Sequence, residues 1–110
     1  MSEPLGNYIR AHRKKAGLSQ RELAQLVGYC DQGVISKHEQ LLTLPPLVVA
    51  IGYCVAFRIP IRTLFAGVHE AVEEMVERRV TELQQELQAR AGQSAVDAQK
   101  QRWLSERRQS

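Results

Sequence analysis

The sequence predicts an all-α protein. Two observations carry that prediction. Apolar residues recur at intervals of three and four, the helical period. The composition is rich in aliphatic side chains and poor in aromatics, 44% hydrophobic against 5% aromatic, where a β-sandwich or barrel favours aromatic and β-branched residues. At 110 residues with 25% charged side chains, the chain has the size and polarity of one globular domain rather than a disordered segment.

The elements follow in order. Leu5, Tyr8, Ile9, His12 and Ala16 repeat at helical spacing, with Pro4 near the start and Gly17 as a stop. Ser19 and Glu22 form a capping-box pattern that opens a second helix with inner face Leu23, Ala24 and Val27, closed by Gly28. Asp31 is the expected N-cap of a third helix, roughly residues 32–40, with Ile35 turned inward. Pro46 suits the first position of a fourth, with Leu47, Ala50, Ile51, Cys54 and Phe57 expected on its inner side. Pro60 starts a short turn carrying Ile61, Leu64 and Phe65. From Val68 to Arg90 there is neither Gly nor Pro, and a helix of that length spans about 34 Å. Its apolar stripe is Val72, Val76, Val80, Leu83 and Leu87, read either as a dimer seam or as core folded back on the preceding domain. Gly92 ends it, and the polar tail is expected to be disordered or marginally helical. The domain boundaries that result are 1–66, 67–91 and 92–110.

Charge is distributed unevenly. Residues 1–60 carry seven basic and four acidic groups, residues 61–91 four and six, and residues 92–110 four and two. A sequence-independent DNA coat is far more basic, so any polyanion contact is local. The longest apolar run, Leu44 to Phe57, is too short for a membrane span and is broken by Pro45 and Pro46. The N-terminus lacks the basic and apolar regions of a signal peptide. Cys30 and Cys54 without a Cys-x-x-Cys pair support neither a zinc site nor a disulfide framework, and a reduced, cytoplasmic setting is expected. No His, Asp or Glu cluster has metal spacing, no cofactor is expected, and no nucleophile–base pair or phosphate loop suggests an enzyme.

Two short helices joined by a tight turn form a helix-turn-helix pattern. Ala24 allows close approach, Gly28 takes the turn, and Ile35 anchors the second helix on the first. Gln32, Gly33, Ser36 and Lys37 are left outward, and Gln, Ser and Lys hydrogen-bond base edges or phosphates.

The stretches IRAHRKKAGLSQRELAQLVG, VISKHE and PPLVVAIGYCVAFRIPIRTLF resemble the Cro/phage-repressor-type (XRE-type) helix-turn-helix family over residues 5–65. The resemblance implies a five-helix phage-repressor-like DNA-binding domain followed here by the long C-terminal helix. It also implies a dimeric transcriptional regulator on double-stranded DNA. By resemblance, Gln20 meets a phosphate at the start of the second helix, and Gln32, Gly33, Ser36 and Lys37 face the groove. Arg10, Arg13, Lys14, Lys15 and Arg21 are candidate phosphate contacts. Four features depart from the family pattern: one extra residue between Gly28 and Ile35, His38 at a usually apolar position, an apolar loop after Glu39, and Arg58 where a helix-ending glycine is usual. The expected function is repression by operator occupancy as a homodimer. The alternative is a protein-interaction module or antitoxin-like adaptor that keeps the fold and docks a protein at Leu41, Leu42 and Leu44.

Overall fold

The computed structural model describes residues 5–90, 92 and 94–107. Among the described residues it holds seven helices and no strand: α1 (Ile9–Lys15), α2 (Gln20–Val27), α3 (Gln32–Glu39), α4 (Leu47–Phe57), α5 (Ile61–Leu64), α6 (Ala66–Ala89) and α7 (Ala95–Glu106). Residues 1–4, with Pro4 among them, Ala91, Gln93 and residues 108–110 lie outside the described residues. The chain divides into two compact units, residues 1–70 and 71–110.

The first unit is organised by its caps. The Ser19 hydroxyl accepts from the Glu22 amide at 3.0 Å while Glu22 accepts from the Ser19 amide at 2.9 Å, so the capping box is complete. Gly28 ends α2 at φ 91°, a conformation a Cβ would disfavour, and the Tyr29 amide then donates to the Ala24 carbonyl. Asp31 starts α3 by accepting from the Gly33 amide at 2.8 Å. Gln32 and Gly33 therefore belong to the first turn of α3. Arg58 does take the left-handed conformation at the end of α4, φ 56°, and Leu41 does so after α3, φ 57°. Each is disfavoured by about 1 kcal/mol relative to glycine.

Ile9, Leu23, Ala24, Ile35, Ala50, Tyr53, Leu64 and Phe65 form the core of this unit. Two expectations about the helices feeding it are corrected. The first helix starts at Ile9 rather than near Leu5, because the buried Asn7 side chain accepts from the Ile9 amide at 3.1 Å and stops the helix there; Leu5 is exposed. On α4 the inward residues are Ala50 and Tyr53, with Cys54 and Phe57 half-buried, while Leu47 and Ile51 point outward. A uniformly apolar helix has no period to show which face is inner, and the large Tyr53 ring takes the core position. Gly67 sits so close to the N-terminal segment that an added Cβ would lie 2.5 Å from the Leu5 carbonyl oxygen. Its amide donates to that same oxygen at 2.9 Å.

The second unit has a smaller core. Val80 and Leu87 of α6 pack with Leu104 of α7. The stripe on α6 is thus divided: Val80 and Leu87 are buried within the chain, and Val72, Val76 and Leu83 remain exposed. Residues 95–106 of the tail form α7, capped by the Ser94 hydroxyl accepting from the Asp97 amide at 3.1 Å. Arg107 donates to both carboxylate oxygens of Glu77, at 2.8 and 3.2 Å, and Arg90 meets Asp97 at 3.3 Å. No helix among the described residues is long and apolar enough to cross a membrane.

Candidate nucleic-acid interface

Ile35 and His38 are the buried positions of α3, and they hold one side of the helix against the core. The opposite side carries Gln32, Gly33, Ser36 and Lys37, with Gln32 and Lys37 exposed and Gly33 and Ser36 half-buried. Steps of one, three and one residue put these four on a single helical face. Gln40, which caps α3, falls four residues after Ser36 and donates its amide to the Ser36 hydroxyl at 2.9 Å. That bond occupies an acceptor site on Ser36 and leaves its O–H directed elsewhere. Gln40 is not among the site residues expected from the sequence; its i, i+4 spacing from Ser36 is the signal that points to the pair.

The frame behind this face is polar and buried. Arg13 is not on the solvent edge with the other cations: its Nε donates to Glu39 at 2.6 Å, Nη2 to the same carboxylate at 3.3 Å, and Nη1 to the Leu18 carbonyl at 3.0 Å. The Gln20 amide donates to Glu39 at 3.0 Å. Glu39, at the end of α3, thereby fastens α1 and the start of α2 to the third helix. A buried carboxylate with three donors is well satisfied, and losing it would strand the Arg13 charge. Gln20 keeps its carbonyl and its second N–H for a further partner. Asn7 adds a second tie, donating to the His38 carbonyl at 3.0 Å.

His38 fills its unusual position by pairing with tyrosines. Its Nδ1 lies 2.8 Å from the Tyr53 hydroxyl, and its ring meets those of Tyr29 and Tyr53 edge-on, both at 5.9 Å between centroids. Burial holds the His38 imidazole below the ordinary histidine range. It raises the Tyr53 phenol, with Tyr29 and Glu39 adding to that rise, so both groups are neutral. Tyr29, the turn residue beyond Gly28, packs on the core and is the third member of this group.

The remaining cations stay in solvent. Arg10, Lys14 and Lys15 on α1, Arg21 in the first turn of α2 and Lys37 on α3 are all exposed. Among the loop leucines, Leu42 and Leu44 are exposed, and Leu41 is half-buried, packed where a Gly6 side chain would sit. Cys30 is exposed in the turn; Cys54 is half-buried, and burial raises its thiol above the usual range. No group of three metal-ligating side chains occurs among the described residues.

No curated protein and no solved structure matches the chain. A helix-turn-helix family model matches residues 9–64, the stretch from the start of α1 to the end of α5. That stretch is just over half of the 110 residues and contains every feature of the frame just described except Asn7, so the chain belongs to the XRE-type helix-turn-helix family of DNA-binding transcription regulators.

Proposed function

We propose that this protein is a sequence-specific repressor that acts by occupying a two-fold operator as a homodimer in the cytoplasm. The observation that carries the reading is the outward face of α3: four adjacent positions, Gln32, Gly33, Ser36 and Lys37, with hydrogen-bonding side chains and a glycine that admits close approach. Arg10, Lys14 and Arg21 on α1 and α2 supply phosphate contacts, and Gln20 adds its free amide groups at the start of α2. Arg13, committed to Glu39, supports the frame instead.

The test is a gel-shift titration on operator-containing and random duplexes at two salt concentrations, for the wild type and for Gln32→Ala with Lys37→Ala. Each good base contact contributes about 1–3 kcal/mol of discrimination, so the double variant should lose preference for the operator while keeping its fold. With Arg10, Lys14 and Arg21 of each subunit on phosphates, the log–log salt slope of the wild-type dimer should be about −5. A double variant that selects the same operator with unchanged affinity, or a wild-type slope shallower than about −2, overturns the reading.

A further inference from the structure

Helix α4 contains no charged residue from Leu47 to Phe57. One side of it is in the core, at Ala50 and Tyr53. The other remains in solvent: Leu47 is 69% exposed, Val48 79%, Ile51 49% and Val55 70%. Steps of one, three and four place these four side chains within about 100° of the helix circumference. Leu44, 66% exposed, leads into the same helix through Pro45 and Pro46. A helix that is apolar all round belongs in an interior, and here a face of about 100° has no interior to enter. The five side chains expose on the order of 600 Å², the upper end of what a monomer leaves bare and close to the ~800 Å² per partner of a standard interface.

We infer that the outer face of α4 is the docking surface for a second copy of this chain, helix against helix across a two-fold axis. The absence of charge and the exposed area together suit this occupant. A two-fold interface brings each residue's patch against the same patch, so any charge near the axis would meet its own sign. A strictly neutral face is compatible with itself. Ile51, at the middle of the helix, falls nearest the axis. Arg58, at the C-terminal end, is kept away from its counterpart, because antiparallel helices of this length separate their ends by about 16 Å. A membrane surface is a poor alternative, since interfacial helices carry Lys and Arg beside the apolar face and this helix has none within it. The side chains of α6 that remain exposed, Val72, Val76 and Leu83, are fewer, and each is less exposed than any of the four on α4.

The inference locates the seam of the homodimer in the proposed function and rests on that reading, but the deciding measurement contains no DNA. Sedimentation equilibrium of the full chain, from low to high micromolar protein, is compared for the wild type, Ile51→Glu with Val55→Glu, and Val72→Glu with Val76→Glu. The expected result is a dimeric wild type, a dimeric α6 variant, and an α4 variant whose dimer is weaker by about two orders of magnitude or more, with wild-type helical content. Where the two glutamates also lower the melting temperature, Val48→Ser with Val55→Ser is read in their place. A monomeric wild type over the whole range overturns the inference and leaves the face to a different protein. An α4 variant that stays dimeric overturns it as well. Salt-dependent binding of the monomeric α4 variant to a random duplex separates the two ideas: if it persists, DNA binding stands independently of the seam.

Discussion

The two units of this chain are both built from α-helices, yet each is held together differently. Residues 1–70 close around eight buried apolar side chains and around a buried carboxylate, Glu39, that collects donors from α1 and α2. In residues 71–110 the described core is three side chains, Val80, Leu87 and Leu104, and the polar links, Arg107 to Glu77 and Arg90 to Asp97, are on the surface. Surface ion pairs contribute little, whereas breaking one partner of a buried pair costs about 3–5 kcal/mol. The first unit therefore depends on a few buried polar contacts that are costly to break, and the second on a small apolar contact with polar trim.

The largest effect is expected at the hub. Glu39→Ala leaves Arg13 buried without its partner and should lower the stability of the first unit by about 3–5 kcal/mol, read from urea titration. A change below about 1 kcal/mol would mean that water replaces the carboxylate and that the hub does not distinguish the units. Next is Leu104→Ala, which removes one of three core side chains and about 2–4 kcal/mol. Hydrogen exchange should then show amides of α7 and of the end of α6 opening while those of α2 and α3 keep their protection. Loss of protection in both places would show one cooperative body instead of two.

The smallest expected effect comes from acid. All three histidines, His12, His38 and His69, lie in the first unit. Because burial depresses the imidazole of His38, the unfolded chain binds the proton more readily than the folded one. Its contribution is complete above about pH 6.5, the ordinary unfolded value, and is lost as pH falls from there toward the folded value, by at most ~1.4 kcal/mol per pH unit. Thermal melts across that window should weaken the wild-type first unit, and His38→Phe should flatten the dependence. An unchanged slope in His38→Phe would show that His38 is not the source of the acid sensitivity.

Local punctuation makes most of this fold legible in the amino-acid sequence. The capping box at Ser19 and Glu22, Gly28 in the turn and Asp31 before α3 act within three residues of themselves, and each does what its position implies. Positions decided by tertiary competition are not legible. Helix α4 offers no polar residue to mark its outer side, so its pattern predicts Leu47 and Ile51 inward where Tyr53 in fact lies. Arg13 reads as one more cation of a basic helix until Glu39, twenty-six residues later, is brought beside it. The outward set on α3 is legible because Ile35 fixes the phase of the helix. Gln40 escapes that reading because it lies at the cap, where helical periodicity stops.

The tie between Arg13, Glu39 and Gln20 has a mechanical consequence. It joins α3, α2 and α1 by charge-assisted bonds in a part-buried setting, which leaves little play among the three. For DNA bound as proposed, each subunit then presents α1 to α3 as one fixed body, and adjustment on binding falls to the duplex. The energy of that distortion depends on base steps that no side chain touches, so easily kinked pyrimidine–purine steps between half-sites should be favoured over stiff A-tracts. Part of the operator's sequence preference would be written in the elasticity of the DNA rather than in Gln32, Ser36 or Lys37.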